Sequence, residues 1–540
     1  MTRRALLRLL GRAPLAPALG ITGREALGAP IVQGGARTPD VELLLTASPG
    51  EAQVLTGTPT RVWRFSGRVL HGPQSAIETV PDSYLGPILR LRRGQRVRIR
   101  FQNQLGEPSI VHWHGLDVPE LADGHPRLAV ESGKEYVYDF DVTNRAGTYW
   151  YHPHPHMRTA AQVYQGLAGL MLVTDDEEQG LGLPSGPQEL VSVLQDRRFD
   201  ANNQFVYLDA ADTSGGMGMG AGRGRGMGGG MGRGGGMGMG GGMAGMMQTM
   251  NGWLGDRVLV NGRPHAVTTV DRRSYRLRLL NGSNARLYKL GWSEGTAFTV
   301  MGGDGGLLER ARTLKTLTLA PGQRADVLLD LSDRAAGTEL QLRSLAFPAD
   351  AVGRVGMMGE ASPLPQGAPI QLMTLRVSAA TGPRVRLPER LSAPPPEWTV
   401  RADAPVRRVE LTFMQMNWLL GGRTFEMADV APEETVSAGS THIWELVNKP
   451  NPMGMAMAHP IHLHGPQFRV LSRSGASANA LSEGINDTPA TDTVLVLPGE
   501  TVRTQVTFSR FPGLYLYHCH ILEHEDMGMM RNFRVLGPAA

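Results

Sequence analysis

Two stretches far apart in the chain carry one pattern. Gly147-Thr148-Tyr149-Trp150-Tyr151-His152-Pro153-His154 and Gly513-Leu514-Tyr515-Leu516-Tyr517-His518-Cys519-His520 both run from a glycine through strand-forming residues into a His-x-His pair. Upstream of each lies a second pair, His112-Trp113-His114-Gly115 and His462-Leu463-His464-Gly465. Such repetition means that the first and last parts of the chain are copies of one unit. Leu514–Tyr517 reads as a strand. Along a strand neighbouring side chains face opposite ways, so each His-x-His pair projects to one side. If the two copies pack together, His112, His114, His152, His154, His462, His464, His518 and His520 meet.

The second copy ends in the only cysteine among 540 residues. Parity sends Cys519 away from His518 and His520, so three consecutive residues serve two sites placed back to back. His459 stands an odd number of residues before His462, which directs it to the side of Cys519, although Pro460 loosens that argument. His524 and Met529 follow in the run His518–Met529. Two imidazoles, a thiolate and a distant thioether form the trigonal arrangement of blue-copper electron-transfer sites. Zinc is disfavoured, because it does no redox work and leaves eight further histidines unexplained. Eight histidines are too many for one metal and suit three. A three-copper cluster can pass four electrons to O2, with Cys519 as the bridge from the electron-entry site.

The remaining sequence is short alternating segments broken by Gly, Pro, Asn and Asp, with little helical periodicity, and the class is all-β with sandwiches. Leu89–Arg92 and Val97–Phe101, joined through Gly94, read as a hairpin. Tyr136–Phe140, Gly169–Val173, Glu189–Leu194, Tyr275–Leu280 and Ala325–Leu329 read as further strands. Three units are expected: residues 36–178, 186–345 and 401–540, with a proline-rich linker over 346–400. The second unit has one histidine, His265, read as structural, and is expected to space the other two. An insertion over 213–250 interrupts it. Met217 to Met250 is mostly glycine with ten methionines and three arginines. With nothing β-branched or aromatic to bury before Thr249, it is expected to be mobile.

Residues 1–35 read as an export signal and mobile start. Arg3-Arg4 precedes apolar residues, and Ala26-Leu27-Gly28 fits a small-x-small cleavage site. This resembles a twin-arginine signal and places the mature protein in the periplasm or outside the cell. No later run is long enough to span a bilayer. A formal net charge of +4 gives no electrostatic case for nucleic acid. A monomer is expected.

The four histidine motifs, taken in order, resemble those of the multicopper oxidases, most of all the bacterial copper efflux oxidases and related laccases. Gly166-Leu167-Ala168-Gly169, Leu279–Arg286 and Leu522–Asp526 add to the likeness. The resemblance implies three cupredoxin-like Greek-key sandwiches and four copper ions. It assigns His112 and His462 to the type 2 copper, and His114, His152, His154, His464, His518 and His520 to the type 3 pair. It agrees with His459, Cys519, His524 and Met529 for type 1. His156 would back the second motif. Asp123 is the expected acid near the cluster, with Glu525 a second proton relay.

The donor is less constrained. Thioethers suit Cu(I), and the efflux oxidases carry methionine-rich segments, though in their third domain. Where those proteins have an Asp and a Met before the first type 1 histidine, this chain has Met455 and Met457, with Met453 two residues earlier. Met357, Met358 and Glu360 are further candidates for a substrate copper. Three readings follow: an oxidase of Cu(I), or of phenols and aromatic amines as well, serving copper tolerance; a laccase with an organic substrate and the methionines as its lid; and a non-enzymatic copper-binding relative, against which stands the completeness of the ligand set.

Overall fold

The computed structural model describes residues 37–208, 239–354, 362–394, 398–451, 454–475, 478–488 and 490–537, with main chain alone over 239–244. These form six β-sheets, which pair through three large apolar cores into three sandwiches. In the first, a four-stranded sheet ordered Thr60–His71, Val41–Ala52, Arg96–Asn103, Glu135–Asp141 packs on a five-stranded sheet that ends Gly169–Thr174, Gly147–Pro153, Val111–His114. Val41, Leu43, Leu45 and Ala47 point into the core from alternate positions, as a half-buried strand requires.

The third sandwich repeats this plan. His459–Leu463 lies between Gly513–Cys519 and Thr493–Val496. His462 is registered opposite His518, as His112 is opposite His152 in the first sandwich. The sequence repeat is thus a repeat of register, and it sets two pairs of histidine strands toward each other. The second sandwich combines a seven-stranded and a five-stranded sheet.

Several expectations are corrected. Ile88–Arg92 and Arg96–Asn103 are not a hairpin. They belong to opposite sheets, the first beside Gly169–Thr174 and the second between Val41–Ala52 and Glu135–Asp141. Gly94, at φ 89°, turns the chain across the core, and its N–H is taken by Val142 rather than by a facing strand. Ile370–Thr381, within the stretch expected as linker 346–400, is a strand of the second sandwich, paired with Ala266–Arg272 and Glu339–Ser344. Its alternating apolar residues outweighed the prolines around it. The methionine-rich stretch is not mobile throughout: Met239–Asn251 is a helix. Its end buries Met250 in the core of the third sandwich, with Met246 and Met247 against it. Unbranched thioether side chains form helices well and fill irregular gaps. Residues 209–238 and the export signal lie outside the described residues. Among the described residues no helix is long and apolar enough to cross a membrane.

A buried charge cluster joins the first two sandwiches. Arg276 donates to Asp326 (3.0 Å from Nε) and to Glu178, which closes the first sandwich. Arg278 adds bonds to Glu189 (2.6 Å) and to the Thr148 hydroxyl (2.9 Å). The guanidinium charges hold the Asp326 carboxyl below its usual range against the opposing effect of burial. Removing one partner leaves buried charge uncompensated, which costs about 3–5 kcal/mol. Arg276→Met is therefore expected to lower unfolding stability by about that amount in denaturant titration; a loss under about 1 kcal/mol, the range of an exposed pair, refutes the assignment.

Candidate metal centre

The electron-entry candidate is built from two strand ends and a short helix. His459 opens the strand His459–Leu463, and Cys519 closes Gly513–Cys519. His524 sits in the helix Leu522–Asp526. Cys519 Sγ lies 3.4 Å from His459 Nδ1 and 3.6 Å from His524 Nδ1, with all three residues fully buried. Met529 is buried in the same core, and its backbone carbonyl accepts from the Cys519 N–H at 3.0 Å. Burial pushes the Cys519 thiol up, so a thiolate here needs a cation beside it. Burial lowers His524 to about 3, which leaves its imidazole neutral.

The outward nitrogen of His524 finds a partner that the sequence did not suggest. Its Nε2–H donates to the Met250 carbonyl at 2.9 Å, at the end of the methionine-rich helix. The same oxygen accepts from Trp418 Nε1 at 3.0 Å. The Trp418 ring lies 4.5 Å from the His459 ring and 5.0 Å from that of His524.

On the far side of the strand the eight histidines meet, all fully buried. His112 Nε2 and His462 Nε2 approach to 3.3 Å. His154 Nε2 and His464 Nε2 stand 3.4 and 3.2 Å from His518 Nε2. His114 Nδ1, His152 Nε2 and both ring nitrogens of His520 have no hydrogen-bond partner, and these three rings lie 5.0–5.7 Å apart.

His154 Nδ1 is likewise unpartnered, and the outward nitrogens of the remaining rings, His520 apart, are held. His112 Nδ1 donates to the Asp123 carbonyl (2.6 Å), His462 Nδ1 to the Asp492 carbonyl (2.8 Å) and His152 Nδ1 to the Pro153 carbonyl (2.9 Å). His464 Nδ1 donates to Asp123 Oδ2 (2.7 Å) and His114 Nε2 to Asp492 Oδ1 (2.9 Å). An outward N–H donated to oxygen fixes the tautomer that leaves the inward nitrogen a lone pair. Burial lowers these histidines, His152 to about 3 and His518 to about 4. Neutral imidazoles with converging, unpartnered lone pairs fit copper ions, and so do the paired imidazoles and sulfur on the other side.

Two carboxylates expected near the cluster lie there. Asp123 is fully buried, and burial, with Asp117 and Glu120 nearby, pushes its carboxyl well above the usual range. Glu525, raised chiefly by burial, stands 3.1 Å from His518 Nδ1 and 3.4 Å from His154 Nε2. Asp492, Met250 and Trp418 were not foreseen. Asp492 immediately precedes the strand Thr493–Val496 and no repeat or spacing marks it, and the other two act through a main-chain oxygen and a ring face.

His156 does not back the cluster. Pro155 and the left-handed backbone of Met157 (φ 59°) turn the chain outward, leaving His156 exposed with its ring 5.4 Å from Phe425. His265 is an exposed turn residue with φ 50°. Met457 is buried in the core that holds Cys519, and Met455 packs partly against it. Met357, Met358, Glu360 and Met453 lie outside the described residues. The second sandwich is more than a spacer. It carries Met250 to one site, and at the other Gly322 sits so close that a Cβ there would stand 3.1 Å from His520 and 3.2 Å from His114.

Comparison with known proteins agrees with this geometry. Three family profiles, each described as multicopper oxidase, match residues 64–178, 238–338 and 403–538. A multicopper oxidase of Staphylococcus aureus is 31% identical over 451 residues, 84% of this chain and 82% of that protein. A laccase of Bacillus subtilis is 26% identical over 89% of this chain and 91% of its own length. The crystal structure of the McoA multicopper oxidase of Aquifex aeolicus superposes with a TM-score of 0.72 at 32% identity, covering 92% of this chain and 96% of that one. With its three sandwiches, its buried histidines and its single cysteine, the chain belongs to the multicopper oxidases, copper enzymes that use O2.

Proposed function

We propose that this oxidase takes electrons singly at a type 1 copper held by His459, Cys519, His524 and Met529. They pass through the His518-Cys519-His520 tripeptide to a cluster that reduces O2 to water. In this assignment His112 and His462 hold a type 2 copper, and His114, His152, His154, His464, His518 and His520 hold a type 3 pair, four copper ions in all. Bound copper supplies the one-electron acceptor and the four-electron chemistry. The observation that carries the reading is the single strand end at which Cys519 faces one set of ligands while its two neighbours face the other.

Reducing one O2 to two waters consumes four protons, and the cluster is sealed from solvent. Asp123 Oδ2 touches His464, and burial pushes its carboxyl well above the usual carboxylate range. Glu525 stands between His154 and His518. In our reading both move protons into the site. General acid catalysis contributes about 10²–10⁴-fold, so Asp123→Asn, assayed fully copper-loaded, is expected to cut O2 turnover by about 10²-fold or more with the blue absorption retained. Unchanged turnover in the fully loaded variant removes the proton role.

For the donor we favour Cu(I), with phenols and aromatic amines as further substrates. Support comes from the His524 edge, whose Nε2–H is covered by the Met250 carbonyl and flanked by Trp418, and from the thioethers of Met246, Met247, Met455 and Met457 around the same core. A donor bound by thioether needs no open histidine edge. The relatives' names point both ways: several are laccases, and one at 26% identity is a laccase-like CueO with activity towards lignin model compounds. A specific feature favours an organic donor with the methionines as lid. A largely apolar cavity of about 220 Å³ opens between Met247, Gly252, Val352, Met457 and Ala458, larger than the roughly 150 Å³ that admits benzene. The paired arginines of the N-terminal segment support export, and with Cu(I) as donor the enzyme would serve copper tolerance.

Met246→Leu/Met247→Leu keeps the helix and its packing but removes two soft ligands. It is expected to raise KM for Cu(I) about tenfold, equivalent to about 1.4 kcal/mol, and to leave phenol oxidation within about twofold. Equal effects on both donors, or none on Cu(I), favour the organic substrate.

A further inference from the structure

Asp123 and Asp492 do reciprocal work. The carbonyl of Asp123 holds His112 of its own sandwich while its carboxylate holds His464 of the other. The carbonyl of Asp492 holds His462 of its own sandwich while its carboxylate holds His114 of the other. The two differ in what stands behind them. Among the described residues Asp123 has no cation at its carboxylate, whereas Asp492 is gripped by Arg324 through two parallel bonds of 2.8 and 2.6 Å.

Arg324 comes from the second sandwich, and its side chain is fully buried. Its remaining donors are also spent. Nε reaches the Thr148 carbonyl of the first sandwich (2.9 Å), and the other two reach the Gly322 (3.0 Å) and Asp304 carbonyls (3.1 Å). All five N–H groups are therefore fixed, and the planar fork sets the carboxylate's position and angle as an ammonium would not. Asp492 Oδ1 in turn receives the His114 Nε2–H, so that Nδ1 is the nitrogen that faces the cluster without a partner. One residue thus orients a histidine from the first sandwich and one from the third while anchored to the second.

We propose that Arg324 and Asp492 are positioning residues for the oxygen-reducing cluster, fixing the tautomer and ring angle of His114 and the main-chain acceptor of His462. The second sandwich, which contributes no ligand to the cluster, thereby controls how tightly the cluster holds copper. This rests on the eight-histidine assignment above.

The test uses the full-length copper-loaded protein with Arg324→Lys, which keeps the charge and loses the fork, and Asp492→Asn, which keeps the shape and loses the charge. Partners of metal-binding histidines typically change metal affinity by about 10–100-fold. Both variants are expected to surrender cluster copper to a chelator about 10–100-fold more readily. The fraction of the remaining copper visible by electron paramagnetic resonance should rise as the coupled pair is broken. The blue absorption of the Cys519 centre, on the other face of the strand, serves as the internal control and should stay constant per protein. Cluster copper retained as in the wild type, with only a lower melting temperature, overturns the proposal and makes the pair a structural one. If Arg324→Lys does not fold, Asp492→Asn decides by the same readouts. A wild-type protein that binds copper at Cys519 alone overturns the eight-histidine assignment itself, a different result from copper-replete variants.

Discussion

A histidine that binds a metal through one nitrogen is oriented by whatever holds the other. Seven of the ten rings in the two centres donate the outward N–H to a carbonyl or carboxylate, and His154, His459 and His520 do not. Each such bond contributes about 1 kcal/mol net, yet losing one leaves a buried group unpaired and a ring free to present the wrong nitrogen. Both centres depend on it: the Met250 carbonyl orients His524, and Asp123 and Asp492 between them orient four rings of the cluster. The acceptors come from all three sandwiches. The ligands come from two, so the fold needs its third body to complete a site to which that body adds no ligand.

The architecture was legible where period-two patterning and repetition coincided. His-x-His on a strand end is a statement of geometry, and it forecast that His518 and His520 would part from Cys519. The same reasoning linked His459 to Cys519 across an interrupting proline, and the two meet at 3.4 Å. It failed where pairing is decided by neighbours that only the fold supplies. Ile88–Arg92 and Arg96–Asn103 alternate as a hairpin would, but their partners lie far away in sequence. His156 continues the spacing of the second motif, and a left-handed Met157 turns it out to solvent.

Composition misled most about the methionine-rich stretch. Its glycines argued for a chain with nothing to bury. Met250 is buried nonetheless, because an unbranched thioether fits a groove between sandwiches and the helix end places a carbonyl where two N–H groups require one. Asp492 and Arg324 were hidden for a different reason. An acid and a base separated by well over a hundred residues carry no local signature, and only the closure of three domains on one point brings them within 2.6 Å.

The insertion reaches His524, beside Cys519, through a backbone oxygen. A backbone acceptor is offered by any residue type, so the contact places almost no demand on which side chain follows which. It places a strict demand on distance along the chain, because the carbonyl must fall at the end of Met239–Asn251 just ahead of the strand Arg257–Val260. Ahead of its buried end at Met246–Met250 the segment is thus free to drift in composition, while its junction with the second sandwich stays fixed in length. Variation between relatives should therefore appear as substitution and as growth at the far end of the insertion, and hardly at all as a shift in the few residues that tie it to His524.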